Sequence, residues 1–487
     1  MIGRTGIRSG FLSVLNDEEV ERIHSGAIQI LSQTGIIVQD EAILRRMDGA
    51  GCTCYPETGR CRIAKRVIEE ALKTAPKVVR LYDRFGAEAM ALGSGGFHAR
   101  TSSGATHILD SDTGSLREPT LQDASDVARL ADALPYVHGV STMAVQPAET
   151  PLSTVDVHVA RAALMSTTKP LGHACLNEGL IEPVLEMAAV VVGGRESLRR
   201  RPILTALAES TSPLRFVKTQ LAVARAFASW GVPLTIHAHP MAGLTSPVTL
   251  AGELVVTHAE VLAWVTITQV LASGTPVVYG MSSSVPNMRN MLNLSGPVEI
   301  GLLGAAVARL SRHIGLPCLM STGSDAHAPG AQSVMERLMT LLLPAWAGMD
   351  LVNLTTLETK MSFSPTQLVL DNALLEITAR MFQGITVNDE TLALDLIQQM
   401  GSVGGFFASP HTVRHFRKEI MVPALVGREA RDAWEATGAR DMADRAREEA
   451  LRLLAEHRPP ALPENVVEQL DEIVCEAETR SGLRSKR

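Results

Sequence analysis

Short apolar runs rich in Val, Ile, Leu and Ala recur through the middle of the chain, each ending in small or polar residues and each followed by a stretch with helical period. They fall at 137–145, 170–174, 203–208, 234–238, 276–280, 317–321 and 350–354, with starts 33, 33, 31, 42, 41 and 33 residues apart. Runs of this kind are what strands buried on both faces look like, and the spacing leaves room for a loop, a helix and a return. The pattern predicts an α/β fold, a (β/α)8 TIM barrel, with the eighth strand expected near Met361 or Val403. Catalytic groups of such a barrel come from the C-terminal ends of its strands. Chemistry is therefore expected just after the runs, at Glu209, His237, His239, Tyr279, Ser282 and Asp325.

The flanks carry other patterns. Asn16 or Asp17 suits the cap of a helix with the stripe Val20, Ile23, Ala27, Ile30 and Leu31, and 55–59 reads as a hairpin turn. DSDTGSLREPT at 110–120 reads as a turn, and an amphipathic helix at 121–134 leads into the first run. Helices over 413–455 and 464–476, charged on one face, are expected to pack outside the barrel. The domain reading is 1–135 for an N-terminal helical and hairpin cap with its lead-in helix, 136–410 for the barrel, and 411–487 for C-terminal helices. In HPMAGLTSPVTLAGELVVTHAEVL, Ser246 suits the cap and Pro247 the first turn of a helix with Leu250, Leu254, Val261 and Val265 buried. His258 shares that apolar face and reads as a core histidine.

Composition narrows the function classes. The 487 residues carry a net charge of -7 with interspersed signs, which leaves no basic stripe for nucleic acid. No apolar run reaches the roughly 18 residues of a membrane span. MIGRTGIRSGFLSVLNDEEV lacks the apolar core of a signal peptide, so a cytoplasmic location is expected. Cys52, Cys54 and Cys61 cluster in AGCTCYPETGRC, yet no fourth ligand at zinc spacing follows, and packing as small hydrophobes is the plainer reading.

Longer motifs carry a resemblance. LDSDTGSLREPTLQDASDVARLADALP at 109–135, PMAGLTSPVTLAGELVVTHAEVLA at 240–263, GTPVVYG at 274–280, VGGFFASPHTVRHFRKEIMVPAL at 403–425 and RAREEALRLLAEHRPPALPE at 445–464 resemble the trimethylamine methyltransferase family. These are corrinoid-dependent enzymes that include glycine betaine methyltransferases. The resemblance implies a barrel enzyme that moves a methyl group from a methylated amine to the cobalt of a cognate corrinoid protein. The corrinoid (cobalamin) is then carried by that partner, with none tightly bound to this chain, and the family suggests a homo-oligomer. Archaeal trimethylamine enzymes of the family carry pyrrolysine in the barrel; around 323–337 this chain has only ordinary amino acids. The nonpyrrolysine branch, and a quaternary amine in place of trimethylamine, is the expectation.

A quaternary ammonium leaves as a neutral tertiary amine when a nucleophile takes its methyl group, so it needs no protonation or covalent activation. The protein must then supply position, exclusion of water and a site for a dispersed positive charge. Such cations sit over aromatic faces with a carboxylate nearby. Aromatic residues make up only 4% of the chain, which draws attention to Tyr279, Phe363 and Phe406. Glu209 is the candidate counter-charge. His237 and His239 alternate on one strand face, and with Asp325 and His327 they offer either donors for a substrate carboxylate or a metal set. Arg289 is a candidate carboxylate clamp or partner contact. The assignment is Glu209, His237, Tyr279 and Asp325 as catalytic, with His239, Arg289, His327, Phe363 and Phe406 binding substrate and no metal. The alternatives are a metal-dependent barrel hydrolase on His237, His239, Asp325 and His327, or a methylated-amine binding protein without turnover. Glycine betaine, proline betaine, carnitine and choline all remain open as substrate.

Overall fold

The computed structural model describes residues 12–354 and 356–483. Residues 1–11, which belong to the expected cap, lie outside it. Eight parallel strands form the barrel: β1 (His98–Thr101), β2 (Val140–Ser141), β3 (Leu171–His173), β4 (Leu204–Glu209), β5 (Leu234–Ala238), β6 (Val277–Met281), β7 (Cys318–Ser321) and β8 (Leu351–Leu354). Each neighbours the next in chain order, and β8 pairs with β1 with Leu351 opposite His98. The ring closes between β1 and β2, where Arg100 bridges Gly139 and the His138 N–H donates to Ala99 O at 2.7 Å. A helix follows every strand, from Leu121–Ala133 after β1 to Pro365–Gln383 after β8.

The seven runs read from the sequence are β2 to β8. The remaining strand lies before them, so the barrel starts at His98, ahead of residue 136. Neither expected position for an eighth strand joins the barrel. Met361 adjoins a two-residue strand, Ser362–Phe363, that pairs with His107–Leu109 in a separate small sheet, and Val403 is exposed in a turn. The reason is visible in GGFHART: β1 is short and half polar, with no apolar run to mark it.

Alternation along the strands divides core from interior. Leu234, Ile236 and Ala238 of β5 and Val277, Tyr279 and Met281 of β6 belong to the large core between barrel and helices. Val278, Leu319 and Leu351 point the other way and join Val79, Leu81, Met90 and Leu92 in a second apolar cluster. Those last four come from the hairpin of strands Val79–Tyr82 and Glu88–Leu92, which therefore floors the barrel interior with side chains.

The flanking expectations meet the structure at several points. Asn16 caps the helix Asp17–Gln33 in a reciprocal capping box with Glu19. A hairpin turn joins Thr53–Tyr55 to Arg60–Arg62. The 240–263 motif differs: its helix is Leu250–Leu271 with Thr249 at the cap, because 241–246 close a turn of their own through the Ser246 N–H to Met241 O at 3.2 Å. This 22-residue helix is long and apolar enough to cross a membrane, contrary to the reading that no run qualifies, but 78% of its apolar window is buried inside the protein. The 413–455 region is broken into Pro410–Glu419, Arg431–Ala436 and Met442–Glu456, and Glu464–Arg480 is the final helix.

Candidate active site

Above the floor the inward-facing positions turn polar. Arg100, Thr235, His237, Ser321 and Asn353 look into a cavity of about 230 Å³ at the C-terminal ends of the strands, with Glu209, His239 and Lys360 also on its wall. Two strand glycines make the room. A Cβ at Gly172 would lie 2.2 Å from the Arg100 guanidinium, and one at Gly280 would lie 2.1 Å from His237 Cδ2. His237 thus lies over bare backbone of the neighbouring strand β6, and the Arg100 guanidinium over bare backbone of β3.

Arg100 is 5% exposed. Its Nε donates to Asn353 Oδ1 at 3.1 Å and its Nη1 to Thr205 Oγ1 at 3.0 Å. Among the described residues no carboxylate pairs with it, and burial alone draws its pKa down to about 10. A buried guanidinium with neutral partners only is an anion site by its chemistry: its fork is built for a carboxylate.

The opposite wall holds a negative group. Glu209 ends β4, half-buried, with Oε2 3.6 Å from His239 Nδ1. Burial works to raise its carboxyl, but His239, with help from Lys360, holds it below the usual carboxylate range. His237 sits between these groups with Nδ1 3.1 Å from Ser282 Oγ and Nε2 without a hydrogen-bond partner. Its burial pushes the imidazole down to about 3, so it stays neutral. Lys360 enters from the turn after β8, where Glu358, Thr359 and Lys360 take φ of 49°, 55° and 74° in succession. Left-handed backbone is uncommon outside glycine. Asp325 holds this turn: it accepts from the Ser295 and Gly296 N–H groups at 2.9 and 3.0 Å and from Thr359 Oγ1 at 3.0 Å. Burial pushes the Lys360 amine down to about 8, against the pull of Glu209.

Of the residues expected from the sequence, Glu209, His237, His239 and Ser282 meet at this cavity; the others lie elsewhere. Tyr279 is on the outer face of β6, fully buried, its hydroxyl 3.1 Å from His258 Nδ1. Asp325 ties loops together, as described. His327 is exposed and pairs with Glu358 at 2.7 Å. Arg289 is exposed on the loop after β6, Phe363 is buried in the core, and Phe406 lies in a short 3-10 turn, 406–408, far along the chain. His237, His239, Asp325 and His327 therefore do not converge into a metal set among the described residues. Nor is the cavity wall aromatic: no Phe, Tyr or Trp lines it among the described residues.

The model of the family described as trimethylamine methyltransferase matches residues 5–482. The chain belongs to the trimethylamine methyltransferase family. It is 32% identical to the trimethylamine methyltransferase MttB of Desulfitobacterium hafniense, over 97% of this chain and 95% of that one. It is 28% identical to a glycine betaine methyltransferase of the same species, over 95% and 97%. The solved structure of the monomethylamine methyltransferase of Methanosarcina barkeri aligns with a TM-score of 0.46 and 12% identity, over 93% of this chain and 96% of that chain.

In this member of the family, Arg100, Asn353 and Lys360 were not among the residues expected to carry the site. Arg100 was hidden because its strand was not recognised. Asn353 lies inside an apolar run, where a single amide interrupts LVNL, and that interruption was the available signal. Lys360 depends on an unusual turn that no local pattern announces. Together the three change the chemistry of the cavity: two cationic side chains line it with one carboxylate.

Proposed function

We propose that this protein takes a quaternary ammonium carboxylate of the glycine betaine type into the barrel cavity and passes one of its N-methyl groups to the Co(I) of a corrinoid held by a partner protein. The observation that carries this reading is Arg100, buried without a carboxylate partner among the described residues, in the same small cavity as Glu209. Arg100 receives the substrate carboxylate, with Lys360 also lining the cavity, while Glu209, kept ionised by His239, faces the ammonium. His237 is neutral and offers a polar contact without adding charge. A bare cation such as a trimethylammonium ion would meet two positive groups for one negative, which favours the zwitterion. The relative named as a glycine betaine methyltransferase supports that preference.

The Co(I) of a corrinoid supplies the nucleophile for the methyl group. The chain's own residues bind the two charged ends of the substrate, fix which N-methyl points out of the barrel and exclude water from the floor up. Departure as a neutral amine needs no proton donor, and neutral His237 and ionised Glu209 provide none. Leu176, Leu244, Val248, Met288 and Leu292 are exposed on the loops after β3, β5 and β6, an apolar rim suited to the corrinoid-bearing partner. Exposed apolar residues at 385–422, among them Ile385, Val403, Phe407 and Val413, support self-association of the chain, to be checked by light scattering. Six unbridged cysteines support a reducing compartment, the cytoplasm.

The test is an anaerobic visible-spectrum assay of the purified protein with cob(I)alamin and either glycine betaine or trimethylamine. Decay of the Co(I) band with the betaine and not with trimethylamine is expected. Absence of decay with glycine betaine, proline betaine and carnitine, repeated with a matched corrinoid protein, overturns the proposal.

A further inference from the structure

Behind the cavity wall, the segment after β3 folds against the helix Val155–Ser166 and gathers three side chains that methyl transfer does not use. One ligand atom from each of Asp156, His173 and Cys175 lies within 4.8 Å of the other two, and all three residues are buried. His173 Nε2 is 3.9 Å from Asp156 Oδ1, and Cys175 Sγ is 3.9 Å from Asp156 Oδ2.

Each of the three is left with unspent bonding capacity. Asp156 is fully buried, yet among the described residues no lysine or arginine pairs with it. Its donors are the backbone N–H groups of Leu176 at 3.1 Å and Asn177 at 2.8 Å. His173 is 2% exposed, and its Nδ1 meets Thr142 Oγ1 at 2.8 Å. That contact leaves Nε2 aimed at the carboxylate with no hydrogen-bond partner, since 3.9 Å is too long for one. The Cys175 thiol has only weak contacts, 3.3 Å to Asn177 O and 3.9 Å to Asp156 Oδ2. A carboxylate, an imidazole nitrogen and a sulfur thus face a common point with no cation among them.

We propose that Asp156, His173 and Cys175 hold a zinc ion. Bonds of about 2.0–2.3 Å to O, N and S in a tetrahedral site separate the ligand atoms by roughly 3.3–3.8 Å, whereas here the atoms lie 3.9 Å apart in two contacts, to different oxygens of Asp156, and within 4.8 Å overall, so the groups close by up to about 1 Å on binding. Thiolate and carboxylate neutralise the dication, which makes a fully buried site tolerable. The sulfur selects against magnesium and calcium, which take oxygen. On binding, the thiol proton leaves to solvent, the contact to Asn177 O is given up and an Sγ–zinc bond forms. A water completes the four ligands. Thr142 on Nδ1 and the two backbone N–H groups on Asp156 are the outer contacts that orient a metal-binding imidazole and carboxylate. Because His173 and Ala174 also line the cavity, the ion braces one wall of the site from behind.

The test uses the full-length protein, assayed for metal by mass spectrometry, then stripped and titrated with Co(II). One zinc per chain is expected, and one cobalt bound with a near-ultraviolet thiolate-to-cobalt band and intense tetrahedral visible bands. Cys175→Ser removes the thiolate band and weakens cobalt binding about 100-fold or more. His173→Gln, the second variant, keeps the thiolate band but shifts the visible bands and lowers affinity. Cys61→Ser, in the separate cysteine cluster, changes neither. A wild-type protein that shows no thiolate band overturns the site, and so does a band that survives Cys175→Ser and is lost in Cys61→Ser.

Discussion

Replacing Arg100 by Met isolates the charge on which the functional reading depends. Met retains most of the aliphatic length of Arg, so the packing of the stem near Gly139 survives while the guanidinium over Gly172 is removed. The loss is two hydrogen bonds, Nε to Asn353 Oδ1 at 3.1 Å and Nη1 to Thr205 Oγ1 at 3.0 Å. Bonds from a charged donor contribute about 1.5–3 kcal/mol each. Against this, burial draws the guanidinium from 12.5 to about 10, and at about 1.4 kcal/mol per unit that desolvation costs the folded state on the order of 3 kcal/mol. Loss and relief are of similar size, so R100M is expected to fold with a stability within about 2 kcal/mol of wild type. Binding is different, because nothing compensates the lost fork. Removing one partner of a buried charge pair costs about 2–5 kcal/mol, which is roughly 30- to 4000-fold in kcat/KM for a carboxylate-bearing substrate. The assay is the initial rate of Co(I) decay with glycine betaine and with choline, which has no carboxylate, alongside urea unfolding. Discrimination between the two should collapse in R100M. A folded R100M that retains wild-type kcat/KM on glycine betaine, or that loses both substrates equally, refutes the assignment.

Three other expectations test the same cavity and its boundary. Gly280→Ala places a Cβ 2.1 Å from His237 Cδ2; overpacking of about 1–3 kcal/mol should show as a lower urea midpoint, with loss of activity, and an unaltered midpoint contradicts the geometry. Tyr279→Phe breaks only the 3.1 Å contact with His258 outside the barrel, so it should cost about 1 kcal/mol of stability and leave kcat/KM unchanged; a large fall in kcat/KM returns Tyr279 to the site. The Lys360 amine, pushed down to about 8, should undergo reductive methylation at pH 8 ahead of the exposed lysines and be protected by glycine betaine, as read by peptide mass spectrometry. Its folded pKa lies below the unfolded value of about 10.4, so between these two pH values the folded state binds fewer protons and unfolding free energy should rise with pH. Lys360→Met should flatten that rise.

The repeating apolar runs were sufficient for the barrel because a strand buried on both faces leaves a local mark, and seven of the eight strands have one. Local chemistry also settled the Asn16 cap and the turn at 55–59, since capping and tight turns depend on residues within a few positions. His98–Thr101 left no such mark. It is four residues long, and its Arg is tolerated inside only because glycines and polar groups of other strands surround it. Period-2 alternation separated Tyr279 from Gly280, and His237 from Ile236, but alternation is symmetric and does not say which set points inward. Only closure of the barrel decides that, by pairing His237 with Gly280 and turning Tyr279 toward the helix Leu250–Leu271. The same holds for the charges. That Glu209 and His239 share a wall follows from neighbouring strands, whereas the meeting of Arg100 with Asn353, 253 residues later, and of Lys360 with Glu209 is a fact of tertiary structure alone. Burial, and therefore the pKa of each group and the sign of the cavity, belongs to the folded surroundings and not to any stretch of chain.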